Sequence, residues 1–279
     1  QYNKYRKKDK GLYLKWWLEK EKTNYNRNRM LVDAIYNSTG SITRDSKGRR
    51  LHSPFTTLDR RLRRFITIDG EPTATLDISH FHPTLIANEI IKAGSKDDGL
   101  LEDCINNNFY SKIAIEVEAG GELLGEWKLP SYYDDARLAP RDRAKDAVMG
   151  YLNGEGSSRP TNPERRAVRN AMLKHYPNVE RYISAQKEEL AKKVKHINKT
   201  NPQQRTSVGK LYSQKLQRME SELYIDNFYK TLAGSDNTPS FTIHDSITVA
   251  QSQRQKARTI MVRLAHQQGL RAADDDGEL

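Results

Sequence analysis

Residues 73–87 read Thr73-Ala74-Thr75-Leu76-Asp77-Ile78-Ser79-His80-Phe81-His82-Pro83-Thr84-Leu85-Ile86-Ala87, and their character changes midway. From Thr73 to Ile78 the side chains alternate and are rich in β-branched residues, as in a half-buried strand. A helix is expected to follow at once, from about Pro83 to Ala93. A strand that delivers a carboxylate at its end and passes directly into a helix points to an α+β domain.

The rest of the chain agrees. Leu12, Trp16, Trp17, Leu31, Ile35 and Tyr36 are spaced as on helices over 11–37. Thr39-Gly40-Ser41 and Ser46-Lys47-Gly48 carry turn chemistry around short strands. Pro140 suits the first position of a helix reaching Leu152, which Asn153-Gly154 would end. Two long amphipathic helices are expected over 163–197 and 204–233. Residues 241–250 alternate around His244-Asp245 as a strand or hairpin, and a last helix covers roughly 252–268. There is no internal repeat of fixed period.

Composition narrows the classes. Lys plus Arg is 47 against 36 Asp plus Glu, a net charge of +11. Charged residues are 30% of the chain, yet 14 Tyr, 6 Phe and 3 Trp still allow a core, which excludes disorder throughout. No apolar run approaches the roughly 20 residues of a membrane helix. The single cysteine, Cys104, excludes internal disulfides and thiolate zinc clusters and suits a reducing cytoplasm. The chain opens at Gln1 rather than Met, so it reads as a piece of something longer. Basic residues cluster at 4–10, at Arg49, Arg50, Arg60, Arg61, Arg63 and Arg64, and at 187–199, while the tail from Asp274 is acidic and expected to fray. Such clusters suit a polyanion, although a solvated surface has the same composition.

Three segments can carry chemistry. In the first, Asp77 ends its strand so that its carboxylate and the next carbonyl, that of Ile78, can face one metal. In the second, Arg141, Lys145 and Met149 follow at intervals of four and share one helix face. Two cations one turn apart can grip a triphosphate, and Met149 can touch a base or sugar. The third, Thr242-Ile243-His244-Asp245-Ser246-Ile247-Thr248-Val249, supplies a second aspartate. Each has a plainer reading: Asp77 as a turn or cap residue, Arg141 and Lys145 as a solvated face, Met149 as core, His244 and Asp245 as a satisfied pair. The spacing of His80 and His82 suggests zinc, but no Cys or third His lies near. A Ser246–His244–Asp245 hydrolase is disfavoured because neighbours on a strand face opposite ways.

Together the segments resemble motifs A, B and C of the family-A DNA polymerases and the single-subunit phage-type RNA polymerases. Asp77-Ile78-Ser79-His80-Phe81-His82-Pro83-Thr84 is similar to D-Y-S-Q-x-E-x-R. Arg141, Lys145, Met149, Gly150, Asn153 and Gly154 are similar to R-x-x-x-K-x-x-x-F-G-x-x-Y-G, with Met where the RNA enzymes carry Met. His244-Asp245-Ser246 is similar to the H-D-S of the RNA enzymes. Gly48 to Pro54, Arg61 to Ile66 and His175 to Glu180 resemble flanking segments of the same family. The likeness covers roughly residues 39–270 in the family's order.

The resemblance implies a right-hand polymerase: a palm with an antiparallel sheet, helical fingers and a reduced helical thumb. The corresponding divisions are a thumb-like 1–38, palm 39–93, fingers 94–200, second palm part 201–270 and acidic tail 271–279. It implies two Mg²⁺ ions, with Mn²⁺ as a substitute, about 3.5–4 Å apart on Asp77, Asp245 and the Ile78 carbonyl. Arg141 and Lys145 would bind the β- and γ-phosphates, with Lys145 as a proton donor to pyrophosphate, and His244, Arg49, Arg50, Arg63 and Arg64 would hold primer and template. Partners would be a DNA template, a primer and nucleoside triphosphates, in the cytoplasm or on a nucleoid, phage or plasmid. Only 1–38 remains for a thumb and no segment reads as an exonuclease, which predicts an accessory replication protein, an additional N-terminal domain or short products.

Two departures bear on the sugar. His82 stands where the DNA enzymes have the Glu that blocks a 2′-hydroxyl, and Asn153 where they have Tyr. Both can hydrogen-bond a ribose, which points to ribonucleotide incorporation of a primase-like kind. The rivals are a metal-dependent nuclease using the same carboxylates and a palm-like nucleic-acid-binding module without catalysis.

Overall fold

The computed structural model describes residues 10–119, 140–154 and 162–274 and the backbone of 277–278. Along the chain a long helix α1 (Lys10–Tyr36) precedes a small hairpin, β1 (Thr43–Arg44) with β2 (Leu51–His52), and two short helices, α2 (Pro54–Thr57) and α3 (Arg60–Arg63). Strands β3 (Thr67–Ile68) and β4 (Glu71–Asp77) lead into α4 (Phe81–Lys92), α5 (Leu100–Ile105) and α6 (Phe109–Ala119). Then come α7 (Pro140–Leu152), α8 (Pro163–His175), α9 (Pro177–Thr200) and α10 (Val208–Leu223). Strands β5 (Ser240–Ile243) and β6 (Ser246–Ala250), helix α11 (Arg254–Gln267) and a terminal pair, β7 (Ala273–Asp274) with β8 (Gly277–Glu278), complete it. The architecture is α+β. Among the described residues no helix is long and apolar enough to cross a membrane.

The main sheet has four antiparallel strands in the order β3-β4-β6-β5. The alternation read in 73–78 is realised on β4, where Ala74 and Leu76 are buried and Thr75 and Asp77 exposed. Register brings two segments far apart in sequence together: Asp77 pairs with Ser246, and Ser246 also pairs with Ile243.

Two hydrophobic clusters result. One joins the sheet (Leu76, Ile247, Val249) to α11 (Ile260, Met261) and to Tyr224 and Phe228. The other is helical, drawn from α5 to α9, with Ile113, Val148, Val168, Val179 and Ile183 fully buried or nearly so. Helix α4 serves both, Phe81 and Leu85 facing the sheet cluster and Ile86 and Ile90 the helical one. Helix α10 does the same through Tyr212 and Leu216 at one end and Leu223 at the other.

Several sequence expectations change. The helix expected over 163–197 is two, because Pro177 starts α9 and holds Tyr176 before it at φ −136° and ψ 59°. The helix expected over 204–233 begins only at Val208, capped by the Ser207 side chain, and after Leu223 it loosens into two wider π-type turns, Tyr224–Tyr229 and Thr231–Ser235. The helices over 11–37 are one continuous helix in its described part. Of the strand or hairpin expected over 241–250 the hairpin is found, with His244 and Asp245 as the two-residue turn between β5 and β6. The tail is not wholly frayed, since Asp274 is buried against Arg258, 2.9 Å from its Nε.

Candidate active site

Where the sheet cluster meets the helical one, the chain encloses a cleft of about 370 Å³. Its floor is the end of β4 and the β5–β6 turn, which contribute Asp77, Ile78, His244 and Asp245. Around it stand Arg141, Lys145 and Met149 of α7, His80 and His82 at the start of α4, Arg50 before β2 and Glu220 on α10.

Pairing explains the floor. Cα atoms opposed across antiparallel strands lie about 4.5–5.5 Å apart, and successive ones 3.8 Å, so Asp77 and Asp245 have Cα atoms within about 9 Å. Both carboxylates act on the hydroxyl of Tyr224, which lies fully buried beneath them; burial first, then Asp77 and Asp245, hold that phenol well above its usual pKa. The Ile78 N–H donates to the same hydroxyl at 2.8 Å and so fixes the backbone just beyond Asp77.

Two histidines of the cleft have left-handed backbone, His80 at φ 51° and His244, next to Asp245, at φ 51°. A non-glycine residue in that region costs on the order of 1–3 kcal/mol, and such strain gathers at working sites. His80 is only 7% exposed and stacks on Tyr110 with ring centroids 4.6 Å apart. Neither of its ring nitrogens has a hydrogen-bond partner among the described residues. Burial, then Arg141 and Lys145, push its pKa down to about 4, so the imidazole is neutral near neutral pH. Burial also lowers the pKa of His244, with Arg50 adding to the effect.

Helix α7 faces two ways, as its spacing predicted. Ala144, Ala147, Val148 and Tyr151 sink into the helical cluster, while Arg141, Lys145 and Met149 border the cleft. Met149 also packs against that cluster, so the core reading and the cleft reading both describe it. Arg141 is steadied by the neutral Asn107 amide at 2.6 Å and lies 5.9 Å from the Tyr110 ring, while Lys145 is exposed.

The remaining expected site residues are elsewhere. Asn153 is exposed beyond the end of α7 and does not line the cleft; its carbonyl instead meets Gly209, where a Cβ would collide with it. Arg63 donates to the Leu58 and Thr56 carbonyls, both at 2.9 Å, closing the end of α2. Arg64 lies 4.8 Å over the exposed ring of Phe65, and Arg49 pairs with Glu222 and Asp226. Arg50 does reach the cleft, but through Glu220.

Glu220 is the residue the sequence reading overlooked. It is 1% exposed, accepts from Arg50 Nε and Nη2 at 2.7 Å each, and lies 3.1 Å from His82 Nε2. These partners hold its carboxyl below the usual range against the opposing effect of burial. A signal existed: Tyr212, Leu216 and Glu220 follow at intervals of four, and a lone carboxylate on an apolar stripe needs a partner.

Among the described residues no group of three or more His, Cys, Asp or Glu side chains is gathered to hold a metal. The zinc reading of His80 and His82 therefore has no third ligand, and its two rings are engaged by Tyr110 and Glu220. The floor holds two carboxylates, those of Asp77 and Asp245, and carboxylate oxygens suit a hard divalent cation better than zinc. No protein-family model and no curated protein matches the chain.

Proposed function

We propose that the chain is a template-directed nucleotidyltransferase that extends a 3′-hydroxyl on a DNA template, with ribonucleotides among its substrates. One observation carries the reading. Segments far apart in sequence, each suited to one part of phosphoryl transfer, bring Asp77, Arg141, Lys145 and Asp245 around a single cleft. A nuclease would need the carboxylates but not two cations spaced one helical turn apart in the same cleft.

Mg²⁺ ions, or Mn²⁺ in their place, would be held by Asp77, Asp245 and the Ile78 carbonyl, and would supply charge neutralisation and a more acidic 3′-hydroxyl. Arg141 and Lys145 bind and orient the triphosphate, and Lys145 stands ready to hold a proton for the leaving pyrophosphate. The neutral ring of His244 positions the primer end beside Asp245. Met149 gives the base an apolar neighbour, and His82 stands at the sugar. Asn153, exposed just past the end of α7, is not among the described residues that line the cleft.

Synthesis on a defined single-stranded template, with and without primer and with each nucleotide type separately, tests this. The wild-type protein should extend, and Asp245→Asn should lower the rate by about a thousandfold or more. Binding without incorporation, unchanged in Asp245→Asn, would mark a binding module instead. Strand cleavage would mark a nuclease.

A further inference from the structure

The cleft contains one buried ionic group that the proposed chemistry does not use. Glu220 comes from α10, far from all three motif segments, yet it meets Arg50 on one side and His82 on the other. The Arg50 fork engages both carboxylate oxygens, the geometry of a charge-assisted pair. An ionised carboxylate only accepts hydrogen bonds. His82 Nε2, 3.1 Å from Oε2, must therefore be the nitrogen that carries hydrogen. In a neutral imidazole the other nitrogen, Nδ1, is then a bare acceptor.

We infer that Glu220 is a positioning residue for sugar selection: by fixing the His82 tautomer it presents Nδ1 as an acceptor for a ribose hydroxyl of the bound nucleotide. The inference rests on the nucleotide-binding reading of the cleft. It explains why a carboxylate is buried on the apolar face of α10, where a Leu would pack without needing partners. It also separates His82 from a steric block. A carboxylate at that position would repel or exclude a hydroxyl-bearing sugar, whereas a bare imidazole nitrogen has no partner when the sugar lacks the hydroxyl. Unpaired buried acceptors are costly, so the deoxy-sugar is the disfavoured ligand.

Two measurements test this on the full chain. The first is ¹⁵N–¹H correlation NMR of the histidine side chains, with the His82 signals identified by their loss in His82→Ala. The wild-type protein should show Nε2 protonated and Nδ1 bare, and Glu220→Gln should shift the ring toward a mixture of tautomers. A wild-type ring protonated at Nδ1, or a tautomer unmoved by Glu220→Gln, overturns the role of Glu220. The second is equilibrium binding of ATP against dATP, which needs no turnover. The wild-type protein should prefer ATP by about tenfold. His82→Ala should bring the ratio to within about twofold of unity. His82→Asn, whose amide oxygen falls near the position of Nδ1, should keep part of the preference, and Glu220→Gln should lie between. Equal binding by the wild-type protein, or an unchanged ratio in His82→Ala, overturns the sugar contact. If Glu220→Gln does not fold, the two His82 variants and the wild-type spectrum still decide. If neither nucleotide binds, the proposed function falls and sugar selection with it, while the NMR still judges the tautomer.

Discussion

Two arginine-rich regions, residues 49–64 and the first turns of α7, look equally suited to phosphate in the sequence but are held in opposite ways. In the first, three arginines are matched by groups of the protein itself. Arg50 is clamped on Glu220, Arg49 pairs with Glu222 and Asp226, and Arg63 closes the end of α2 on two carbonyls. In the second, Arg143 lies 3.8 Å from Glu118, but of the two cations that border the cleft Arg141 leans on a neutral amide and Lys145 is exposed. A guanidinium already satisfied by carboxylates gains little from a phosphate, whereas one steadied by neutral groups keeps its charge for a ligand. The positive charge of a sequence segment therefore says little until its internal counterions are known.

The contrast is open to direct attack, and the largest effect should come from the matched region. Arg50→Ala leaves Glu220 buried with only His82 beside it, and should destabilise the fold by about 3–5 kcal/mol in denaturant titrations. A loss well under 1 kcal/mol would show that the pair is not held as described. Next comes the exposed cation. Lys145→Ala should lower kcat/KM for nucleoside triphosphates by about a hundred- to a thousandfold with little change in stability. Arg63→Ala in the same assays should cost roughly 1–2 kcal/mol of stability and leave kcat/KM near wild type. Like behaviour of the two variants would mean that Lys145 and Arg63 do not differ in availability to a ligand.

The fate of His80 sharpens the same comparison, because the α7 cations help keep it neutral. Its folded pKa of about 4 lies below the ordinary 6.5, so between those values the unfolded chain binds the proton and the folded one does not. Stability should therefore fall as pH drops from 6.5 to 4, by about 3 kcal/mol. His80→Asn, which tolerates the left-handed backbone, should flatten that slope. Parallel acid titrations of the two proteins would reveal an unchanged slope if the ring were solvated.

Local pattern made much of this legible. The alternation of 73–77, Pro140 at the head of α7 and the one-face spacing of Arg141, Lys145 and Met149 all depend on neighbours within a few residues, and each appears where periodicity places it. What escaped depends on partners far along the chain. Nothing near Glu220 announces Arg50, which lies 170 residues away, or His82, 138 residues away. The break at Pro177 was legible in principle, since a residue before proline resists the helical region; amphipathic spacing on both sides concealed it.

The division of α4 and α10 between two cores has a further consequence. Neither the sheet half nor the bundle half owns a complete set of walls, and a cut that isolated one would strip apolar flanks from both of these spans. The cleft is thus less a gap between separable bodies than the joint of one frame. A ligand lodged there would brace the two halves against each other, and slack in either would be felt by whatever the joint grips.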